Sequence, residues 1–523
     1  MSSIDSVTTG GGGVVTTADS SGTMLLKTAG VTAITIDASQ NVTIPYKQSG
    51  IGAVTRTVAS KLNDTVSVKD FGAVGDGVTD DTAAIQAAIN SVGIGGGGGV
   101  YFPYGTYKVT STLTVAYNNV SFIGANQRGA LLYSTTNNTK ILSVTGTWFT
   151  LRDMSFDYST TPISGAVAIY LASQNTTLDN FTVFKSYIGL QLGNGTLGSC
   201  GAARVSNFQI LSHVDAGIYG YGSLDCFFSN GVINAANATN AANGNIHLLN
   251  ANEAFVMENV DMLLGVYAIV TDASSYTSSN RTAYSKFSNV FFDSSSQGTY
   301  LNNLVQTSFI GCWFSNGRTG PGYFGCSLNQ SDEISFVGCE FSNCGGGGLN
   351  IAASAKRTKV IGCTVESNSF TAGAGVAHGI VIAANTSDFI ITNNHCHNGL
   401  FPGTQGYGIL INSNVTNFIV KDNNLLGNAS GAMAVGTLGA GGVITDNLGF
   451  APGMTIPTVT ASPFTYTAGP YNETVYITGG TISAITVGGQ GVFASSEKTI
   501  ELAPNEPVII TYSVAPTVRS MRH

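Results

Sequence analysis

Charge is scarce in this chain of 523 residues, since only 10% of them are Asp, Glu, Lys or Arg. The net charge of −8 provides no basic surface for a phosphate backbone, which argues against nucleic acid as a partner. Disordered chains combine high charge with few apolar residues, whereas 43% of this sequence is hydrophobic. The composition therefore predicts a folded protein that does not bind nucleic acid.

Long apolar runs are also missing, and none approaches the roughly 20 residues of a membrane-spanning helix, so we expect no membrane insertion. The first residues, MSSIDSVTTGGGG, have neither the basic region nor the apolar core of a secretory signal. The eight cysteines form no CxxC pair, which favours reduced, buried thiols. No GxGxxG, HExxH or GxSxG motif stands in a suitable setting, and we predict no cofactor and no metal.

A repeat with a bend in each unit runs from Asn119 to about Gly449. Each unit has an apolar residue, any residue, then Asn, Asp or Gly, and then apolar, any, apolar, as in Leu178–Val183. Asn, Asp and Gly tolerate a left-handed backbone, which bends the chain between two short strands. The turn residues are Gly124, Asp153, Asn180, Asn207, Asn230, Asn259, Asn289, Gly311, Gly338, Gly362, Asn393, Asp422 and Asp446.

The spacing of these turn residues predicts the fold class. Twelve intervals cover the 322 residues from 124 to 446, about 27 residues each, which is a solenoid repeat. We predict an all-β chain: a single-stranded parallel β-helix of about 13 rungs, right-handed because parallel crossovers are. The residue after each turn should point inwards. This predicts an interior ladder of Cys312, Cys339 and Cys363 and then an amide ladder of Asn394, Asn423 and Asn447.

An amphipathic helix precedes the repeat. Thr79 or Asp80 is predicted to cap it, and the glycine run Gly93–Gly99 to end it. A lone amphipathic helix before many strands needs a surface for its apolar stripe, so we expect it to close the open N-terminal end of the solenoid. The stripe consists of Ile85, Ala88, Ile89 and Val92.

The same stretch carries the segments DFGAVGDG (Asp70–Gly77), TDDTAAIQAA (Thr79–Ala88), YFP (Tyr101–Pro103) and GTY (Gly105–Tyr107). Together they resemble the N-terminal signature of the pectate-lyase-like β-helix superfamily as it occurs in bacteriophage tailspikes. The resemblance implies a homotrimeric tail protein of a virion, assembled in the host cytoplasm. It also implies that the partner is a bacterial surface polysaccharide, either capsule or O-antigen.

We expect four regions along the chain. Residues 1–60 resemble the N-termini of phage tail fibres, which implies attachment to a phage tail or baseplate protein; a flexible leader is the alternative. This stem is too small for its own core, so intertwining with copies of itself would stabilise it. Residues 61–118 form the capping segment with the helix, and 119–452 the β-helix. Residues 453–523 read as a small β-sandwich module that caps, trimerises or binds glycan.

One outward face concentrates carboxylates and rings. The second residue past each turn should point outwards, and so should the residue two positions further on. The first column is Asp261, Phe291, Trp313, Glu340, Thr364 and His395; the second is Asp293, Ser315, Ser342, Glu366 and His397. With strands ~4.8 Å apart, the β-carbons of Glu340 and Glu366 should lie roughly 8 Å apart, as should those of Asp261 and Asp293.

Paired carboxylates at such a separation suit glycoside hydrolysis, in which one donates a proton and the other activates water or attacks. The predicted catalytic residues are Glu340, Glu366, Asp293 and Asp261. Trp313, Phe291, His395 and His397 are predicted to contact the sugar rings. The insertions Val266–Tyr284 and Gly317–Gln330 are expected to wall this face. The sequence thus predicts a polysaccharide depolymerase that acts by hydrolysis.

Three alternatives stay open. The charged face can simply confer solubility or be buried between subunits. A lyase would need a base and a cation to neutralise a uronate, for which His395, His397, Tyr267 and Arg281 are candidates. A non-catalytic receptor-binding tail protein would bind glycan without turnover, and the absence of an unmistakable catalytic motif is compatible with it.

Overall fold

The computed structural model describes residues 15–18, 22–235, 244–271, 281–316, 322–399 and 404–523. Most of them form one stack of 38 mutually hydrogen-bonded strands, paired in parallel from turn to turn. We call the strands that lead into the turn residue sheet 1, those that follow it sheet 2, and those that complete the coil sheet 3. The predicted parallel β-solenoid is confirmed.

In the N-terminal half several strands run through the bends without interruption. Their bounds are Thr65–Ser67, Asp76–Asp80, Gly98–Phe102, Gly105–Val109, Leu113–Val115, Val120–Gly124, Ala130–Ser134, Leu142–Val144, Thr150–Tyr158, Val167–Leu171, Thr177–Val183, Ser186–Leu192, Cys200–Gly201, Arg204–Tyr221, Ser223–Ala235, Gly244–Leu249 and Asn252–Leu263. The last of these supplies both sheet 1 and sheet 2 in its coil.

In the C-terminal half each coil separates into short strands. Sheet 1 contains Lys286–Ser288, Ser308–Ile310, Ser335–Val337, Lys359–Ile361, Ser387–Thr392, Thr416–Lys421 and Gly442–Thr445. Sheet 2 contains Phe291–Asp293, Trp313–Phe314, Glu340–Ser342, Thr364–Glu366 and His395–His397. Sheet 3 contains Ile269–Thr271, Thr299–Asn302, Cys326–Asn329, Leu349–Ile351, Ile380–Ile382, Tyr407–Ile411 and Gly431–Val435. Two bridging strands, Thr282–Ala283 and Leu304–Val305, connect sheet 3 to sheet 1.

The bends between sheets 1 and 2 lie at the predicted turn residues. Every predicted turn residue from Asp153 to Asp446 has a positive φ, between 50° and 63°. Gly124 is the exception, because it continues the strand Val120–Gly124. Its glycine is needed for a different reason: a β-carbon there would lie 1.9 Å from the carbonyl oxygen of Asp153.

The position after each bend points into the core, as predicted. Cys312, Cys339 and Cys363 are buried in one column, and all eight cysteines of the chain are buried and unbridged. The amide ladder also forms: Asn394 Nδ2 donates to Asn423 Oδ1 at 3.0 Å, and Asn423 Nδ2 donates to Asn447 Oδ1 at 2.8 Å. Each buried amide thereby forms a hydrogen bond with the next one, which avoids the free-energy cost of an unpaired buried polar group.

Stacked phenylalanines fill the middle of the solenoid. Phe309 and Phe336 stack at 5.1 Å between ring centroids, and Phe314 and Phe341 at 4.8 Å. Each ring is fully buried, which stabilises the fold by about 1.5–3 kcal/mol per side chain. One continuous apolar core runs from Val68 to Ile444. This rigid rod holds the side chains on its outer faces in fixed relative positions.

The N-terminal stem is an antiparallel sheet followed by a hairpin and a short helix. The sheet strands are Val15–Ala18, Met24–Thr28, Val31–Ile36 and Val42–Thr43, and the hairpin is Pro45–Lys47 with Thr55–Thr57. The helix Val58–Leu62 contains no buried residue. The structure describes burial for residues 22–27 and 29–67, and none of these side chains is buried.

The helix Thr82–Ile94 packs the predicted stripe Ile85, Ala88, Ile89 and Val92 into the core, beside the 3₁₀ turn Val68–Phe71. It ends before Gly95, inside the predicted glycine run. The predicted cap at Thr79 or Asp80 is wrong, because Asp76–Asp80 pairs as a strand and Asp81 takes the cap position. The buried Asp81 carboxylate instead accepts hydrogen bonds from the backbone N–H groups of Val74 and Gly75, at 2.7 and 3.0 Å.

The C-terminal module consists of two four-stranded antiparallel sheets with their own core. Its strands are Met454–Thr455, Phe464–Thr467, Glu473–Thr478, Thr481–Val487, Gln490–Val492, Glu497–Leu502, Pro507–Val514 and Thr517–Arg522. Val475, Ile477, Ile485 and Ile510 lie between the sheets. Asn505 Nδ2 donates to the carbonyl of Gly442 at 2.8 Å, which joins the module to the last coil.

Candidate functional site

The predicted outward column on sheet 2 forms in the predicted order. Asp261 pairs with Phe291, Phe291 with Trp313, and Trp313 with Glu340. The column continues through Thr364 to His395. Strand alternation therefore positions these side chains on one surface, which we call the acidic-aromatic surface.

The second column aligns Ser342 with Glu366, and Glu366 with His397. Ser342 and Ser315 belong to it by position, yet both are buried, so neither is a surface residue. Ser342 lies beneath its neighbours: Trp313 Nε1 donates to Ser342 Oγ at 2.7 Å, and Ser342 Oγ donates to Glu340 Oε1 at 2.5 Å. This chain of hydrogen bonds fixes the indole and the carboxylate together.

The partner of the Glu366 carboxylate is His397 and not a second carboxylate. His397 Nε2 lies 3.1 Å from Glu366 Oε2, while the backbone N–H of Gly399 donates to His397 Nδ1 at 2.8 Å. Since Nδ1 accepts, the ring proton of the neutral imidazole lies on Nε2 and points at Glu366. The pair therefore needs no charge on the histidine to orient the carboxylate.

Asp261 and Asp293 form the second carboxylate pair, on adjacent strands. Burial raises the pKa of Asp261 above its ordinary value, and the negative charge of Asp293 raises it further. Asp293 accepts a hydrogen bond from the hydroxyl of Ser294 at 2.8 Å. A carboxyl group with a raised pKa beside a second carboxylate is an arrangement that suits acid catalysis.

The aromatic side chains lie next to this aspartate pair. Phe291, in the strand adjacent to Asp261, is 42% exposed. Its ring meets the indole of Trp313 edge to face, with 5.9 Å between centroids and 80° between planes. Two flat apolar faces at an angle, beside polar groups, suit the contact of successive sugar rings.

His395 and His397 lie against each other, with ring centroids 4.1 Å apart. Burial lowers the pKa of His395, and the neighbouring His397 lowers it further. A neutral His395 at pH 7 is a hydrogen-bond donor and acceptor for sugar hydroxyl groups. Cys396, between the two histidines, points inwards, as predicted.

The acidic-aromatic surface contains two separate groups. Three strand intervals separate Asp261 from Glu340, which is roughly 14 Å along the axis. An acid and a base that act on one glycosidic bond must lie much closer than this. The carboxylates therefore form two separate candidate pairs, Asp261 with Asp293 and Glu340 with Glu366.

The predicted walls of this surface are only partly insertions. Within Val266–Tyr284 the strands Ile269–Thr271 and Thr282–Ala283 belong to the regular coil, and Cys326–Asn329 does so within Gly317–Gln330. Residues 272–280 and 317–321 lie outside the described residues. The expectation that these insertions wall the face rests on those residues and stays a prediction.

Sequence reasoning missed a second ring-rich surface, on sheet 3. His247 contacts Tyr219 at 5.0 Å between centroids, and Tyr267 contacts Tyr300 at 6.1 Å. In the sequence, no turn residue shows which positions of these strands point outwards. Only the alternation in GIYGYG (Gly217–Gly222) indicated outward tyrosines. His395 lies five coils beyond Tyr267, roughly 24 Å along the axis. The residues predicted for lyase chemistry are therefore not assembled on one surface of one chain.

Neither a metal cluster nor a membrane helix occurs in the described parts of the chain. No group of three or more His, Cys, Asp or Glu side chains is arranged to hold a metal ion among the described residues. Among those same residues, no helix has both the length and the apolar character needed to cross a bilayer.

Family models match most of the solenoid. Residues 65–350 match rhamnogalacturonase A/epimerase, pectate lyase-like, and residues 267–447 match the right-handed β-helix region. The first match covers more than half of the chain. The chain belongs to the pectate-lyase-like family. The solenoid is accordingly right-handed, with about 13 turns.

The curated relatives match short parts of this pectate-lyase-like chain. Plasmin and fibronectin-binding protein A of Streptococcus pneumoniae is 33% identical over 169 residues, 30% of this chain and 22% of that protein. Mannuronan C5-epimerase AlgE1 of Azotobacter vinelandii is 53% identical over 66 residues, 11% of this chain and 5% of the epimerase. The chain thus spans a small fraction of either relative.

Solved structures share the fold over longer stretches. Tailspike protein 3 of bacteriophage CBA120 superposes with a TM-score of 0.56 and 17% identity, covering 81% of this chain and 69% of that one. The pre-mature gene product 12 of bacteriophage phi29 superposes with a TM-score of 0.50 and 14% identity, covering 76% and 60%. At such identities the likeness concerns the fold.

Proposed function

We propose that this chain is a phage tailspike that binds a bacterial surface polysaccharide and cleaves it by glycoside hydrolysis on the acidic-aromatic surface. The observation that carries the proposal is the Asp261 carboxyl group, whose pKa is raised by burial and by Asp293 beside the exposed ring of Phe291. The tailspike part of the proposal is supported by the shared fold with tailspike protein 3 and by the resemblance of the N-terminal segments.

In this mechanism Asp261 is the general acid. Its carboxyl proton goes to the glycosidic oxygen of the leaving sugar as the bond to the anomeric carbon breaks. Asp293 is the base that takes a proton from water, or the nucleophile that attacks the anomeric carbon. Phe291 and Trp313 hold the rings of the sugars on either side, so that binding energy aligns the scissile bond.

Glu340 and Glu366 are the second candidate pair for catalysis. Each accepts a hydrogen bond from a neighbour, Ser342 or His397, that keeps its carboxylate in one orientation. Carboxylates held in one orientation can also accept hydrogen bonds from sugar hydroxyl groups along the path of the polysaccharide. We therefore propose that Glu340, Glu366, His395 and His397 bind the part of the polysaccharide next to the cleavage site.

A second candidate function is elimination next to a uronate carboxylate. It is favoured by the contact between His247 and Tyr219 on sheet 3, where an imidazole and a phenol adjoin. Elimination requires a base that removes the proton from the carbon next to the carboxylate and a donor that protonates the glycosidic oxygen as its bond to the neighbouring carbon breaks and the double bond forms. This reaction would leave the acidic-aromatic surface for binding only.

The roles of the four regions of the chain are also proposals. Residues 1–60 would attach the spike to a phage tail or baseplate protein, and 61–118 would cap the solenoid of 119–452. Residues 453–523 would close the other end and trimerise or bind glycan. The protein would act as a homotrimer on the virion after assembly in the host cytoplasm.

One assay separates the three functions. The full chain is incubated with surface polysaccharides from a panel of bacteria while reducing ends and ultraviolet absorbance are followed in the same sample. Reducing ends without absorbance support hydrolysis, and then Asp261→Asn should abolish them. Absorbance from a new double bond would show elimination instead. Binding without either signal would identify a receptor-binding spike and contradict the catalytic proposal.

A further inference from the structure

An uncharged cleft of about 340 Å³ lies along the bend between sheets 1 and 2, in the N-terminal half of the solenoid. Small-molecule sites occupy roughly 300–1,000 Å³, so the cleft has room for a small ligand group. Carboxamides dominate its lining, and no charged side chain lines it in the part of the chain that the structure describes. We call it the amide cleft; its carboxamides belong to Gln127, Asn180, Asn207, Gln209, Asn230 and Asn259.

The amide cleft continues the acidic-aromatic surface along the axis. Gln209 pairs with Val232, and Val232 pairs with Asp261, so the three residues share one outward column of sheet 2. Two strand intervals separate Gln209 from Asp261, which is roughly 10 Å. Phe291 lies on the other side of Asp261. A glycan that follows the axis at Asp261 therefore has the exposed rings on one side and the amide cleft on the other.

Two aspartates fix the orientation of two amides in the cleft. Asn180 Nδ2 donates to Asp153 Oδ1 at 2.6 Å, and Asn207 Nδ2 donates to Asp179 Oδ1 at 2.8 Å. Because a carboxylate only accepts hydrogen bonds, these contacts identify the amide nitrogens. The Oδ1 atoms of Asn180 and Asn207 are consequently the groups that can accept from a ligand.

Other amides of the cleft supply donors. Asn230 Oδ1 accepts from Asn259 Nδ2 at 3.4 Å, which leaves the Nδ2 group of Asn230 to donate. The half-buried side chain of Gln209 carries both a donor and an acceptor. Sugar hydroxyl and acetamido groups also donate and accept, so the cleft complements their hydrogen-bonding capacity.

The charges around the cleft distinguish uncharged from acidic sugars. Asp153 and Asp179 are hydrogen-bonded to asparagines of the lining, and their negative charges repel an anionic ligand. Among the described residues, no Lys or Arg lines the cleft to neutralise a carboxylate. The cleft therefore suits an uncharged sugar better than a uronate.

We propose that the amide cleft binds an uncharged sugar unit, through its hydroxyl or acetamido groups, on one side of the bond that the Asp261 pair cleaves. The inference rests on the proposed function for the place of cleavage, and it adds the class of sugar on that side. A site built from hydrogen-bonding groups rejects ligands that cannot pair with them, so the cleft contributes to specificity. Gln209 and Asn230 bind the glycan and take no part in proton transfer.

The first experiment measures binding by the full chain without turnover. Calorimetry uses the Asp261→Asn variant and a bacterial surface polysaccharide that this variant binds. Adding Gln209→Ala and Asn230→Gly should weaken binding at least tenfold. Glycine keeps the φ of 56° at position 230, so the change removes the carboxamide and preserves the bend. The matched control is Asn175→Gly, at a φ of 57° in a bend before sheet 1, which should leave binding unchanged.

Kinetics then separate this inference from the proposed function. In a chain that retains Asp261, the changes Gln209→Ala and Asn230→Gly should raise KM at least tenfold and leave kcat within twofold, because the cleft lies away from the reacting atoms. Weaker binding of a polysaccharide that the wild type does not cleave would support the cleft and contradict the hydrolase. Wild-type binding and cleavage by the cleft variant would overturn the cleft and leave the hydrolase intact.

A second measurement keeps every amide of the cleft. Because all eight native cysteines are buried, the thiol introduced by Val232→Cys in the cleft is the one that a maleimide can reach among the described residues. A bound polysaccharide of uncharged sugars should slow its labelling at least fivefold. The thiol introduced by Leu410→Cys, on sheet 3, should keep its rate. Equal labelling of the Val232→Cys variant with and without bound glycan, or equal protection by polygalacturonate, would overturn the proposal.

Discussion

Asp261 combines an unfavourable position for stability with a favourable one for chemistry. Its folded pKa is raised by burial and by Asp293. The folded chain therefore keeps a proton that the unfolded chain releases, and stability falls as the pH rises from the ordinary value of 3.8 through the raised pKa. We expect Asp261→Asn to raise the unfolding temperature by about 1–2 °C at pH 7 and not at pH 3, measured by calorimetry. An equal rise for Glu258→Gln, an exposed control, would contradict this explanation.

The same residue predicts the pH dependence of cleavage. If Asp261 donates the proton, activity is lost as the pH rises through its raised pKa, since the acid form disappears. We expect Asp293→Asn to remove turnover while leaving binding intact. A profile that stays flat above pH 7 would show that the acid lies elsewhere.

Asn423 is a residue whose role is entirely structural. Its side chain accepts from Asn394 and donates to Asn447 and to the carbonyl of Ile391 in the core. We expect Asn423→Ala to cost about 2–4 kcal/mol of unfolding free energy, because the neighbouring amides lose their partners. Asn424→Ala, at the adjacent outward position, should cost less than about 1 kcal/mol. Denaturant titration of both variants measures the difference.

At the scale of the element, the predicted turn positions between sheets 1 and 2 contain glycines that are favoured for two different reasons, backbone conformation and lack of space for a side chain. Gly338 has φ of 59°, and a β-carbon added there would meet nothing within 4 Å, so only the backbone conformation favours glycine. We expect Gly338→Asn to be tolerated, with a cost below about 1 kcal/mol. Gly124→Asn should cost several times more, because the added carbon would strike the carbonyl of Asp153. Equal unfolding free energies for the two variants would contradict this distinction.

These bends also show why the fold was predictable. Asn, Asp and Gly at a constant spacing are visible in the sequence because they are the residues that bend a strand at low cost. A second row of left-handed residues, before sheet 1, was not predictable, because Tyr284, Gln306, Glu333 and Arg357 occupy it. Such residue types give no signal of a positive φ, so this row of bends could be found only in the structure.

For the candidate site, the sequence predicted which residues share a column but not the contacts between their side chains. Alternation placed Asp261, Phe291 and Glu340 in one column, and their pairings confirm it. Alternation could not show that Ser342 lies beneath Trp313, or that His397 orients Glu366, because these depend on side-chain conformations. It also did not show which positions of sheet 3 point outwards, so Tyr219 and Tyr300 went unnoticed.

The whole molecule is a rod with a stem at one end and a β-sandwich at the other, and its outer faces differ in character. Sheet 2 exposes carboxylates and rings, sheet 3 tyrosines and a histidine, and sheet 1 the aliphatic side chains of Ile310 and Val337.

The acidic-aromatic surface is the centre of this account, and one comparison tests it most directly. Wild type, Asp261→Asn and Trp313→Ala are each assayed for binding and for release of reducing ends, with a polysaccharide that the wild type cleaves. We expect Asp261→Asn to bind normally and to release reducing ends at least a hundredfold more slowly. Trp313→Ala should bind at least tenfold more weakly. Cleavage by Asp261→Asn at the wild-type rate, together with unchanged binding by Trp313→Ala, would contradict the account and move the site to sheet 3.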